Sequence, residues 1–459
     1  MSPGQDTRLL SRRTFLGAAG AAAFAGAGAR MAVPHAVLAQ ASATVPTTLR
    51  KCVSMGPINT PDGDDQDLRA HGNLDLLTST GTRWVKLVVR WDQVQPLPPS
   101  SVPWDRLDDP VANPGQPYLA ALDAQVKLAR SQSPRIGVIV MPWLFPKWAN
   151  DTDHLVDGIP GDLDFFPQDR MRPEAHATGD PAATAKRLTY RVPAPEELAP
   201  DGYWGRWIDF LYRRFLRYGE GVALEVANEP NIQWWPQRDP SPEDDPFAQG
   251  ELAAPRVAAR MLATAQEIGD KYCNRILLAG PATWDGPKGE PEGVRDSRLY
   301  TDYATFTAAL LDELDEIHFA ARSRFVWTQH NYMDVLFRHG NPGAQRNRAA
   351  HARSLLVGRW SGWPQLNGDK DAPGMWLTEG GADLREKSVG GDTRMQVRLV
   401  RQNWDRMATG DGDGDGMEMV TNYLGYSEFH YDTGMRDPLE AGGAPRPLEQ
   451  TWAKLPSNG

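Results

Sequence analysis

Eight short runs of β-branched and aliphatic residues recur along the chain, at 51–55, 84–91, 136–143, 222–228, 276–279, 325–331, 375–379 and 419–424. Every interval between them except the first carries a segment of helical period, at 118–130, 203–218, 255–272, 300–317, 344–358 and 393–407. Strands that are apolar almost throughout need cover on both faces, which a parallel sheet flanked by helices supplies. The 203–218 segment shows how that cover is made, because Trp204, Trp207, Ile208, Leu211 and Phe215 fall on one helical face and read as core. Eight strands can close such a sheet into a barrel. An open doubly wound sheet is the rival, but no strand-to-helix turn here carries a G-x-G-x-x-G or a phosphate loop. The expected fold is therefore α/β, a single (β/α)8 TIM barrel. A chain of 459 residues has room for two domains, yet it shows no internal repeat and no Ser/Gly linker. One catalytic domain is expected to fill 42–459.

In a barrel, the segments that follow strands sit on the C-terminal face, where active sites are built. Long polar insertions at 149–201 and 231–251 both follow strands and so should shape a cleft there. Glu229 ends the fourth strand candidate, and Glu379, in Trp376-Leu377-Thr378-Glu379-Gly380-Gly381, ends the seventh. Two carboxylates at one mouth can break a glycosidic bond, one protonating the leaving oxygen while the other attacks the anomeric carbon. The roles need unlike surroundings, an acid that keeps its proton near neutral pH and a nucleophile that stays ionised. Asn228 is placed to hold a sugar hydroxyl, and Pro230 turns the chain away at the rim.

Asn228-Glu229-Pro230 after strand 4, with a second glutamate closing strand 7, resembles clan A of the retaining glycoside hydrolases, in style closest to families 39 and 5. Further similarity lies in Arg90-Trp91, Trp104-Asp105-Arg106-Leu107-Asp108, Pro142-Trp143, Pro146-Lys147-Trp148-Ala149-Asn150, Gly280-Pro281-Ala282 and His330-Asn331-Tyr332. The resemblance implies Glu229 as acid/base and Glu379 as nucleophile. Arg90, at a strand end, is expected to keep Glu379 ionised. His330 and Tyr332 should share one face of strand 6, His330 lining a sugar subsite and Tyr332 donating a hydrogen bond to the nucleophile. Trp91, Trp143, Trp234 and Trp235 lie on or just beyond strand ends, where an indole can stack on a sugar ring. Glu225, four residues before Glu229 and nearer the barrel floor, is expected to be paired structurally. Strand 3 lacks the histidine common in family 5, and strand 8 offers Asn422-Tyr423 where many clan members place a tryptophan, so the substrate stays open. The expected activity is hydrolysis of a β-linked glycan or glycoside without a cofactor. Transglycosylation by the same pair, or a non-catalytic carbohydrate-binding barrel, are the alternatives.

A carbohydrate partner also suits the net charge of −10, which lacks the basic face that phosphates require and argues against nucleic acid. Ser11-Arg12-Arg13-Thr14-Phe15-Leu16, an Ala/Gly-rich apolar run to Ala29, and Ala39-Gln40-Ala41 resemble a twin-arginine export signal over 1–41. The apolar run is shorter than the roughly 20 residues of a spanning helix, so an exported chain with no stable membrane span is expected once the signal is removed. Cys52 and Cys273 are expected to be buried free thiols. Asp411, Asp413 and Asp415 begin a calcium-loop pattern, but Asn422 stands at position 12 in place of the bidentate glutamate. No catalytic metal is expected, and a calcium ion held there would be structural.

Overall fold

The computed structural model describes residues 49–57, 67–149, 192–232, 235, 252–286, 301–319, 325–336, 348–360, 374–386, 388–409, 417–428 and 431–457. Residues 1–41, where an export signal is expected, the Asp411–Asp413–Asp415 loop, Trp234 and most of the two long insertions lie outside the described residues. Eight parallel strands, β1 (Arg50–Pro57), β2 (Trp84–Arg90), β3 (Gly137–Trp143), β4 (Val222–Glu225), β5 (Leu277–Thr283), β6 (Phe325–His330), β7 (Gly374–Glu379) and β8 (Met417–Tyr423), pair in sequence order, and β8 returns to β1 to close the barrel. A helix follows each strand: α1 (Asn73–Ser79), α2 (Gln116–Arg130), α3 (Tyr203–Phe215), α4 (Ala254–Lys271), α5 (Tyr303–Glu316), α6 (Arg348–Trp360), α7 (Thr393–Thr409) and α8 (Pro447–Lys454). This is the (β/α)8 barrel that the alternation predicts. Among the described residues no helix is long and apolar enough to cross a membrane.

Side chains alternate along a strand, so each strand feeds two cores. Inside the barrel Cys52, Trp84, Ile139, Ala223, Ala279, Val326, Trp376 and Met419, one from each strand, form an apolar plug in which the Trp84 and Trp376 rings meet at 4.9 Å. Outside it, Val85, Leu87, Val89 and Trp91 of the β2 segment join the larger core beneath the helices. Helix α3 buries the predicted face there, with Trp204, Trp207, Ile208, Leu211 and Phe215 fully enclosed.

Several boundaries differ from the sequence expectation. Strand β4 stops at Glu225 and not at Asn228, because Ala227 (φ 69°) and Glu229 (φ 45°) adopt left-handed backbone that a pleated strand cannot contain. Helix α5 starts at Tyr303, after Asp302, whose side chain accepts from the Ala304 and Thr305 N–H groups and so closes the open end of the helix. Cys52 is buried as expected, but Cys273 is exposed, in the turn after α4 with φ 54°.

Candidate active site

The two glutamates reach one place by different local routes. Beyond β4 the chain remains tied to β5: Val226 N–H donates to the Ala279 carbonyl (2.8 Å), Ala282 N–H to the Ala227 carbonyl (3.0 Å) and Glu229 N–H to the Ala282 carbonyl (2.9 Å). These bonds hold Glu229 in its left-handed conformation at the barrel mouth. The close approach needs Gly280, where a Cβ would lie 2.6 Å from the Val226 carbonyl oxygen. Trp235 braces the same turn, its Nε1–H donating to the Asn228 carbonyl at 2.8 Å. Strand β7 uses another device. Strict alternation from Met375 and Leu377, both in the outer core, would aim Glu379 at the helices. The β6–β7 register shifts between Gln329 and His330, pairing His330 with Glu379, and the carboxylate enters the barrel.

His330 stands between the two carboxylates, with Nδ1 2.8 Å from Glu229 Oε1 and 3.5 Å from Glu379 Oε2. One oxygen of each glutamate and a ring nitrogen of His330 all lie within 4.8 Å of one another. An ammonium lies on the other ring nitrogen and the other Glu379 oxygen: Lys86 Nζ is 2.9 Å from Glu379 Oε1 and 3.3 Å from His330 Nε2. Lys86 also pairs with Glu225 Oε2 at 2.6 Å, and both of those side chains are completely buried. On the far side of the nucleophile candidate, Tyr332 O–H donates to Glu379 Oε2 at 2.9 Å.

The electrostatics separate the two carboxylates. Burial pushes the Glu379 pKa up, but the adjacent His330 ring, the Lys86 ammonium and the hydrogen bonds from Lys86 and Tyr332 outweigh it, so the pKa falls below the ordinary value. Burial would likewise strip Lys86 of its proton, yet Glu225 and Glu379 together raise its pKa and keep it an ammonium. Glu379 is 7% exposed, whereas the Glu229 side chain is 17% exposed and has no such cation against it in the described site.

The other expected site residues divide. Asn228 lies beside Glu229 with its Oδ1 buried and without a hydrogen-bond partner among the described residues. Tyr332 meets Glu379 as expected, although it belongs to a single helical turn, Tyr332–Val335, and not to strand 6. Arg90 is corrected: its guanidinium pairs with Asp92 (Nη2–Oδ2 2.9 Å), and the cation placed against Glu379 is Lys86. Trp91 is corrected as well. It opens the helical turn Trp91–Val94 just after β2, is 1% exposed, and stacks on Trp207 with centroids 5.1 Å apart. Trp235 is buried against Phe145, bracing the Glu229 turn where stacking on a sugar was expected. Trp143 is half-buried at the end of β3 and packs on the outer core, and Trp234 lies outside the described residues.

Sequence reasoning missed Lys86, although a lysine inside Trp84-Val-Lys-Leu-Val-Val was a visible signal, since it shares the inward face with Arg90. It also missed an aromatic row leading outward from Glu379. Tyr332 meets Tyr423 (5.8 Å) and Tyr423 meets Tyr431 (5.2 Å), which is 39% exposed. Tyr431 follows β8 in an irregular segment, and no periodicity marks it.

Fold and site together define a (β/α)8 barrel with a carboxylate pair at its C-terminal mouth. No protein-family model matches the sequence, and no curated protein does. Solved structures similar to it include a family 39 glycoside hydrolase from Xanthomonas axonopodis pv. citri, at 14% identity and TM-score 0.49, covering 89% of this chain and 66% of that one. Another is a family 39 glycoside hydrolase from the gut symbiont Bacteroides cellulosilyticus WH2, at 14% identity and TM-score 0.48, covering 90% and 64%. A third is a broad-specificity family 5 endoglucanase from Clostridium acetobutylicum, at 14% identity and TM-score 0.42, covering 90% and 97%. The chain thus spans just under two-thirds of either family 39 enzyme. At these identities the likeness concerns the barrel, and the chemistry stands on the distances within this chain.

Proposed function

We propose that this protein is a retaining glycoside hydrolase acting on a β-linked glycan or glycoside, with Glu379 as nucleophile and Glu229 as acid/base. The supporting observation is the carboxylate pair that flanks His330, with one oxygen of each no more than 4.8 Å from one of the other, which favours the closer of two spacings. Retaining enzymes hold the two groups about 5 to 5.5 Å apart, whereas inverting ones need roughly 6.5 to 9.5 Å for an intervening water. The unlike surroundings support the roles, because Glu379, fixed by Lys86 and Tyr332, stays ionised and suits the nucleophile, which leaves the acid/base part to Glu229.

In the first step a Glu379 oxygen bonds to the anomeric carbon as the glycosidic bond breaks, and the leaving oxygen takes both the bonding electrons and the Glu229 proton. In the second, Glu229 removes a proton from water, whose oxygen attacks the anomeric carbon and returns the Glu379 carboxylate. The unpartnered Oδ1 of Asn228 supports a part for it in holding a sugar hydroxyl near Glu229, and the Tyr332, Tyr423 and Tyr431 row supports a path outward along ring faces. Preference for a β-linkage follows from the Asn-Glu-Pro resemblance.

The test is a screen of aryl β-glycosides and polysaccharides with the wild type, Glu229→Ala and Glu379→Ala. Turnover by the wild type, with the first-formed product retaining its anomeric configuration, is expected, together with a loss on the order of 1,000-fold or more in Glu379→Ala. Unchanged turnover in both variants would sink the assignment. Export by the twin-arginine route is part of the same proposal, supported by Arg12-Arg13 and the apolar run behind them. Replacing both arginines by lysine should hold the protein in the cytoplasm, and unaltered export would refute it.

A further inference from the structure

The Lys86–Glu225 pair lies one layer above the apolar plug, two residues beyond Trp84 and Ala223 on the inward faces of β2 and β4. Two fully buried charges are costly to desolvate, and breaking such a pair costs more than never having had it. Its contacts suggest what the pair does. An ammonium has three hydrogens and no lone pair, so an atom at hydrogen-bond distance from it must accept. His330 Nε2, 3.3 Å from Lys86 Nζ, therefore presents its lone pair, and the ring proton belongs on Nδ1. Nδ1–H then donates to Glu229 Oε1 at 2.8 Å. An oxygen that accepts in this way leaves the other one, Oε2, to carry the acid's proton.

We infer that Lys86 and Glu225 form a permanently charged pair beneath the catalytic carboxylates, which fixes the Glu229 proton on Oε2 through His330 and keeps Lys86 charged throughout the reaction. The inference rests on Glu229 as acid/base and Glu379 as nucleophile. When Glu379 becomes a glycosyl ester its negative charge disappears, and Glu229, having given up its proton, gains one. Lys86 then loses its nearest catalytic anion, but Glu225 remains 2.6 Å away. His330 donates from Nδ1 to Glu229 in both states, so no tautomer change is needed between steps. Lys86 and Glu225 are thus positioning residues. The carboxylate that looked like a decoy four residues before Glu229 serves as the standing counter-ion.

The groups facing this pair and Glu379 are Cys52 from β1, Glu229 after β4, His330 from β6, Tyr332 beyond it, Tyr423 from β8 and Tyr431 after it. Burial keeps the Cys52 thiol and the Tyr332 and Tyr423 phenols protonated and the Tyr431 phenol is likewise raised, which leaves Glu379, whose pKa is lowered, as the group that sets the acid limb.

Two measurements on the full chain test the inference. The first is the imidazole 15N spectrum of histidine-labelled protein, with the His330 signals assigned by their loss in His330→Gln. Wild type should show His330 as the Nδ1–H tautomer, and Lys86→Met should lose that preference. The second is kinetics on a dinitrophenyl β-glycoside. Glu225→Gln should lower kcat/KM on the order of 100-fold and shrink the pre-steady-state burst, because the ester state leaves a buried ammonium unpaired. The charge-neutral Lys86→Met/Glu225→Gln protein, checked for folding by its melting temperature, should stay impaired, with the acid limb of its pH profile moved upward. A wild-type Nε2–H tautomer overturns the inference, as does a folded double variant with wild-type kcat/KM and an unmoved limb. If the wild type turns over no glycoside at all, the proposed activity fails while the nitrogen spectrum still decides the tautomer.

Discussion

Replacing Tyr332 by phenylalanine removes one hydroxyl from the nucleophile and little else. The ring contacts with His330 (6.2 Å, 86°) and Tyr423 (5.8 Å, 74°) do not involve the oxygen, so the aromatic wall should survive. What is lost is the 2.9 Å bond to Glu379 Oε2, a neutral donor on a buried carboxylate. Hydrogen bonds to charged groups contribute about 1.5–3 kcal/mol, and one pKa unit corresponds to about 1.4 kcal/mol. The bond favours the ionised form, so its removal should raise the Glu379 pKa by about one to two units. Lys86 remains on Oε1 and keeps the shift from being larger. The assay is kcat/KM against pH, whose acid limb reports the free enzyme's essential carboxylate. In wild type that limb should lie below the ordinary glutamate range, in keeping with the lowered Glu379 pKa. In Tyr332→Phe it should move up by about one to two units, so that activity is lost at a higher pH as the medium is acidified. A limb that does not move would refute the view that Tyr332 holds Glu379 ionised.

Three other outcomes follow from the packing. Trp91→Ala should cost about 3–5 kcal/mol of stability, read by denaturant unfolding, with KM little changed; a selective rise in KM would instead place Trp91 against substrate. Cys273 should react at once with an aromatic disulfide reagent, while Cys52, its thiol pushed up to about 12 by burial, should react only on unfolding; two fast thiols would contradict the plug. Asp285 is buried beside Asp334, and burial, with the Asp334 charge, pushes its pKa up to about 8. Between the ordinary carboxylate pKa and about 8 the folded protein therefore keeps a proton that the unfolded chain has released, and this contribution to stability declines as pH rises through that window. Asp285→Asn should flatten the decline in melting temperature between about pH 5 and pH 8, and calorimetry showing an unchanged slope would count against it.

By itself the sequence determined the barrel, because strand and helix periodicities are local properties repeated often enough to leave one closed arrangement. It also determined the two glutamates as candidates, since each ends an apolar run that a barrel must aim at its mouth. Alternation along a strand, applied more strictly, would have separated Arg90 from Trp91 and drawn attention to Lys86, which shares the Arg90 face. The remainder depended on contacts between segments far apart in the chain. Glu379 points inward because the β6–β7 register slips beside it, and Glu229 is held by bonds to β5 across a left-handed turn. That Lys86 and not Arg90 supplies the cation, and that Glu225 balances it, was decided by which side chains share the closed interior at the same height. Tyr431 joins the site from an irregular segment after β8. Periodicity tells which way a side chain faces, but the charge and hydrogen-bond partners that set its chemistry come from strands brought together only when the barrel closes.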